Sequence, residues 1–308
     1  MSQQQAEALG REIVSLQPRQ ISGLPLLYPV IEALSIRQIV NRIVPSQAKI
    51  DLGRIVEILI LNRLLSPVAL YGVSDWMAES VLPELLNVES NQVYDNRLGR
   101  ALDQLYPKLG EVWAAIVSRA IQIYDLDLSI LHWDITSIYF EGAYTDSVLA
   151  HYGYSRDHRT DTKQVNLQVD TTDEGQVPIL YQVLPGNTAD ITRPLEHMAA
   201  LLDFLARPEL VDSAVKPILV SDCKMITPEA VLACHFHDLY YLGPVADSDA
   251  TRTIISSVSA DALAKHELKY RPKRVKPDDP DFQPYQGVWR PFSVEHGGVD
   301  VTDRALVV

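Results

Sequence analysis

The chain has 308 residues, 47% of them hydrophobic and 22% charged, with a formal net charge of −13. That is long enough for two domains with at least one sizeable core, and the acid excess argues against a surface that grips nucleic-acid phosphates all over. No apolar run approaches a membrane span, the polar residues 1–20 hold no apolar signal core, and the two cysteines, Cys223 and Cys234, make no disulfide framework, so the expectation is a cytoplasmic protein with no membrane partner.

Residues 1–20 read as a polar lead. From Ile21 to about residue 126 the pattern is helical. Asp51 is placed to cap a helix over Leu52–Leu65, which Ser66-Pro67 stops. Ser74 is expected to cap a short helix, Asn91 to begin another with Leu98, Leu102 and Leu105 on one face, and Pro107 to open a long helix, Lys108–Tyr124. Short helices in series suit a DNA-binding helix-turn-helix module, and equally a plain structural bundle.

At Leu128 the period changes. Residues 128–140 read as a buried strand with one acid, Asp134, among apolar and β-branched residues. A buried carboxylate costs several kcal/mol unless paired, which implies a metal or a strong hydrogen-bond network. Lys163–Thr171 alternates through Val165, Leu167 and Val169, and Val177–Leu184 returns as its hairpin partner. A helix is expected from Ile191 to about Ala206. Strand Pro217–Val220 then ends at Ser221-Asp222, a second helix opens at Thr227-Pro228-Glu229, and Asp238–Val245 returns as a strand. A meander followed by strand–helix alternation predicts an α/β mixed sheet with flanking helices. Beyond Val245 the pattern weakens. Residues 250–266 suit a helix, Gln283–Glu295 suits strands, and Ala305–Val308 reads as a strand cut off at its start.

Two acids carried on separate strands to neighbouring strand ends can hold Mg²⁺ or Mn²⁺ for phosphodiester chemistry. Taken alone, Asp134 reads more readily as a hydrogen-bonded structural acid, and Asp222 as a turn or capping acid.

Four stretches add to that reading. They are His132-Trp133-Asp134-Ile135-Thr136-Ser137, the segment from Gly153 to Gln164, Gly186-Asn187-Thr188-Ala189-Asp190, and Val220-Ser221-Asp222. In this order they resemble prokaryotic insertion-sequence transposases of the DDE class, whose ribonuclease H-like core carries a β-rich insertion. The resemblance spans roughly residues 20–245. It implies a ribonuclease H-like core over 127–308, with the insertion from about 246, behind a helical domain over 21–126. It implies metal-dependent cleavage and strand transfer at transposon ends, with Mg²⁺ or Mn²⁺ as cofactor. DNA would be the partner, the chain would pair with copies of itself, and the setting would be the bacterial nucleoid. By the same resemblance Asp134 and Asp222 are the first two metal-binding acids. The family's third acid, a Glu on a late helix, has no match; Glu295 lies in a glycine-rich, strand-like setting. The expectation is therefore a C-terminally truncated transposase, and the alternative is a catalytically incomplete DNA-binding remnant or inhibitor.

For phosphate contacts the candidates are Arg156, His158, Arg159 and Lys163 in the polar segment, and Lys273 and Arg274 in the basic tract 265–276. Solvated loops are the plainer reading of both stretches. Cys234-His235-Phe236-His237 lacks a known zinc spacing and is expected to be the end of a helix.

Overall fold

The computed structural model describes residues 18–153, 159–188, 194–207, 216–222, 226–264, 267–268 and 283–308. It divides into two compact units, Met1–Asp125 and Leu126–Val308.

The first unit is helical among its described residues. Its α-helices are α1 (Leu24–Ala33), α2 (Ile36–Ile43), α3 (Leu52–Leu65), α4 (Val73–Glu79), α5 (Leu82–Leu86), α6 (Asp95–Leu105) and α7 (Leu109–Tyr124). One core, with Val40, Ile58, Leu61, Met77, Leu82 and Leu98 fully enclosed, joins them. Asp51 caps α3 as expected, accepting from the Arg54 amide at 2.9 Å. It also takes Arg37 Nη2 at 2.6 Å and Asn41 Nδ2 at 2.8 Å, which ties α2 to the start of α3. Gly53 lets the two backbones touch there: a Cβ would stand 2.4 Å from the Arg37 carbonyl oxygen.

Two helix starts differ from the sequence expectation. Ser74 lies inside α4 rather than capping it, and its hydroxyl donates to the Ser90 carbonyl at 2.9 Å. Asn91 sits in a single 3₁₀ turn, Ser90–Gln92; extended backbone at Tyr94 follows, so α6 begins at Asp95.

The second unit is a mixed α/β layer. Strands β1 (Ile130–Phe140), β2 (Lys163–Thr172), β3 (Pro178–Pro185), β4 (Ile218–Ser221) and β5 (Tyr240–Leu242) form one sheet in the order β3-β2-β1-β4-β5. β1 runs antiparallel to β2, and β2 to β3; β4 and β5 run parallel to β1. An antiparallel meander extended by parallel strands is the mixed sheet expected from the pattern. Helices α8 (Pro194–Leu205) and α9 (Pro228–Phe236) follow β3 and β4. Two short helices, α10 (Asp249–Ser256) and α11 (Ala260–Ala264), replace the one expected over 250–266.

A separate hairpin of β6 (Val288–His296) and β7 (Val299–Val307) turns at Gly297-Gly298, both at positive φ as a tight two-residue loop requires. Ala305–Val308 is therefore not a strand cut off at its start: all but the last residue belong to β7, which begins at Val299. Val294 and Val301 seat the hairpin on Val231 and Leu232 of α9.

The sheet's two faces are unlike each other. On one, Leu131, Trp133, Ile135 and Leu219 are buried, and α8 and α9 bring Met198, Leu201, Val231 and Cys234 into the same buried layer. β2 meets this face with a polar row. Gln164, Asn166, Gln168, Asp170 and Thr172 are all 5% exposed or less. Val165, Leu167 and Val169, the apolar residues of the alternation, take the opposite face; Val165 is buried there, but Leu167 and Val169 are only half-buried. The reason is register. Asp170 pairs with Trp133 and Gln168 with Ile135, so the polar residues share the face of the helix-covered tryptophan.

Candidate functional site

Asp134 lies mid-strand on β1, but it is exposed rather than buried. Strand alternation explains the correction: Trp133 and Ile135 turn to the helix-covered face, which sends Asp134 to the other. The pairing requirement inferred from burial falls away with it. Asp134 Oδ1 accepts the Ile135 amide at 2.7 Å.

Asp222 directly follows β4 and is exposed as well. The parallel ladder pairs Ile130 with Ile218 and continues to Trp133 with Ser221. The ladder ends there, and Asp222 lies just past β4; the same register carried one residue further would set Asp134 opposite Asp222. Adjacent strands lie about 4.8 Å apart, so two carboxylates on one rung are within reach of a single cation. The donor set is all oxygen, which suits a hard divalent ion that keeps some of its water. Among the described residues no group of three or more His, Cys, Asp or Glu side chains gathers to hold a metal.

His132 stands two residues before Asp134, on the same face of β1. Its Nε2 is 2.8 Å from Asp173 Oδ1 at the β2–β3 turn, which holds the ring toward the β2 side of β1.

The basic candidates divide. Arg156, His158, Lys273 and Arg274 lie outside the described residues. Arg159 is described and engaged: its Nε and Nη2 donate to the two oxygens of Asp161 at 2.9 and 3.2 Å, and its guanidinium stacks on Tyr139 at 5.0 Å. Lys163 donates to the Tyr144 carbonyl at 2.7 Å. Both are spent locally, holding the end of β1 against the segment before β2.

Two of the singled-out stretches converge at a backbone crossing. The His151 and Gln164 backbones exchange both hydrogen bonds, and the Gly186 amide donates to the Leu149 carbonyl. A Cβ on Gly186 would stand 1.9 Å from the Gln164 carbonyl oxygen, and one on Gly153 would stand 2.0 Å from the Gly186 oxygen. The polar row of β2 completes the knot. Gln164 Nε2 donates to Gly186 O and Asn166 Nδ2 to Thr188 O, each at 2.9 Å.

The sequence reading missed the other use of that row. Asp170 and His197 are 0% and 1% exposed, and His197 Nε2 is 3.0 Å from both Asp170 oxygens. Burial raises the Asp170 carboxyl's pKa, and the His197 bond opposes the rise. The His197 ring stacks on Trp133 at 4.3 Å with 16° between planes. A signal was present: four polar residues at alternate positions of an otherwise apolar strand, Gln164, Asn166, Gln168 and Asp170.

Cys234 is buried on α9, 3.9 Å from Met198 Sδ, with its thiol pushed up to about 12 by burial. His235 is exposed, as is His237 just past the helix, so the three are not gathered as metal ligands.

A family model described as a domain of unknown function (DUF4277) matches residues 16–117. No curated protein matches the chain. Among solved structures, a Mos1 transposase paired-end complex with the left transposon end is similar at 16% identity, with 66% of this chain and 60% of that chain covered and a TM-score of 0.28. The catalytic domain of Mos1 mariner transposase is similar at 16% identity, covering 51% of this chain and 71% of that one, with a TM-score of 0.27. A Mos1 mariner paired-end complex with Mn gives 15% identity, 79% and 72% coverage, and a TM-score of 0.28. The chain thus spans 60% of the first of these.

Proposed function

We propose that this chain is a transposase-type polypeptide that binds DNA ends and acts on their phosphodiesters with a divalent metal, Mg²⁺ or Mn²⁺. The observation that carries the reading is the pairing of Trp133 with Ser221, each followed directly by one of the two acids, Asp134 and Asp222, that the transposase-like motifs single out. Each carboxylate supplies oxygen to one cation. A divalent cation held there would supply Lewis-acid polarisation of a phosphoryl oxygen and a lowered pKa for bound water. His132 shares that face of β1, two residues before Asp134, and is bonded to Asp173. Pairing of two copies, one to each DNA end, is part of the proposal.

The test uses the whole chain, supercoiled plasmid and Mn²⁺. Metal-dependent nicking by the wild type, lost in both Asp134→Asn and Asp222→Asn, supports the reading. Nicking that survives both substitutions removes the two acids from the chemistry. DNA retention on a gel with no nicking points instead to the binding remnant.

A further inference from the structure

Asp170 and His197 are costly residues to enclose. Two buried polar partners repay their desolvation only in good geometry, and an apolar pair of the same volume usually serves stability as well or better. Trp133 Nε1, Gln168 Nε2 and His197 Nδ1, in the same buried layer, have no hydrogen-bond partner among the described residues. Satisfying the core does not account for this polarity.

Its position does. Trp133 is the register partner of Asp170 on one side and of Ser221 on the other. His197 bonds Asp170 and lies flat against the indole. Trp133 is thereby clamped through its backbone by two ladders and through its ring by α8. The next residue is Asp134, and the next residue after Ser221 is Asp222. Any tilt of the Trp133 peptide re-aims the Asp134 carboxylate relative to its partner.

We propose that Asp170 and His197 are positioning residues for the acid pair. They act through Trp133, from the opposite face of the sheet, to hold Asp134 at the angle where it shares a cation with Asp222. The inference rests on the reading of that pair as a metal site. It assigns the buried dyad a role like that of partners behind metal ligands, whose loss weakens metal affinity by about 10- to 100-fold.

The experiment measures Mn²⁺ binding to the full chain by calorimetry. The variant is Asp170→Leu with His197→Phe, which keeps a ring over Trp133 and replaces the polar pair with an apolar one. A folded variant with a cooperative melt and Mn²⁺ affinity weakened about 10-fold supports positioning. A folded variant with wild-type affinity overturns it. A variant that fails to fold moves the test to the wild type, by NMR of the histidine rings under Mg²⁺ titration. Coupling is reciprocal, so a site positioned by His197 must disturb His197 when it fills. A His197 shift that vanishes in Asp134→Asn supports the proposal, and an unmoved His197 at saturating Mg²⁺ overturns it. A wild type that binds no Mn²⁺ at all refutes the metal-site reading itself, and this inference with it.

Discussion

Trp133 and Ser221 face each other across the parallel ladder of β1 and β4, and each is followed by an aspartate. A parallel ladder advances both strands in the same direction, so the register carried one residue past Trp133 and Ser221 sets Asp134 opposite Asp222, 88 positions later in the sequence. An antiparallel neighbour would have carried the second acid away. The crossover between β3 and β4 by way of α8 is what makes β4 parallel to β1.

Metal binding is therefore expected to show in stability with opposite signs in the two states of the site. Without metal, Asp134→Asn relieves repulsion between like charges and raises the melting temperature slightly, by less than about 2 °C. With Mn²⁺ at about 100 times its dissociation constant, the wild type gains about 2.7 kcal/mol, or about 5–10 °C for a unit of this size, and the variant gains little. Thermal melts of both proteins with Mn²⁺ and with EDTA check this. An equal metal-induced rise in both proteins places the ion elsewhere.

The glycines of the backbone crossing should not tolerate even one methyl group. Gly186→Ala drives a Cβ to 1.9 Å from a carbonyl oxygen, and Gly153→Ala to 2.0 Å; in both cases the obstacle is backbone. Each is expected to cost about 3 kcal/mol or more, or to prevent folding. Gly99, inside α6 with open space for 4 Å around the point where a Cβ would stand, is the contrast. Gly99→Ala should stabilise by about 0.5–1 kcal/mol through helix propensity. Urea titrations of the three variants give the ordering.

The elements were largely legible because their patterns are local. Asp51 followed by an apolar run gives α3, and the turn residues after Thr172 give the β2–β3 hairpin. What failed depended on faces. Asp134 sits among apolar neighbours in the sequence, yet strand alternation exposes it, and only knowledge of which face α8 and α9 cover reveals that. The alternation of Val165, Leu167 and Val169 likewise marks a strand without saying which of its faces the helices cover. The inward row is Gln164 to Thr172, and its polarity makes sense only once His197 and the Gly186 loop are seen against it. Asp222 was placed beside Asp134 by family resemblance, because strand order is a long-range property that spacing does not encode.

Asp51 gives the first unit a defined acid limit. Burial raises its carboxyl, but hydrogen bonds from Arg37, Asn41 and the Arg54 amide prevail and bring it from 3.8 down to about 2. A depressed folded-state pKa means that the stabilisation is complete above the unfolded value and is lost as pH falls through the folded one. Asp51→Asn keeps the cap but removes the charge that binds Arg37. The wild type should exceed it by about 1–2 kcal/mol above pH 4, after allowance for solvent screening, and the difference should close between about pH 4 and 2. Paired urea melts across that range test the sign. A gap that widens on acidification contradicts the assigned network.

Cys234 tests the packing of α9 on the sheet. The residue is 2% exposed, its sulfur lies against Met198, and burial pushes its thiol up to about 12. The thiolate is the reactive form, so at pH 8 both access and ionisation oppose modification. In a Cys223→Ser protein, Cys234 should resist a disulfide reagent under native conditions and react at once in denaturant. The native rate should track the opening of α9 from Trp133 and Met198, not the reagent's intrinsic chemistry. Val231→Ala loosens the same helix by removing a fully buried side chain, at a cost of about 1–3 kcal/mol, and should accelerate native labelling by about the corresponding factor. A thiol that reacts at a free-cysteine rate in the native protein would show that α9 does not cover this face of the sheet in solution.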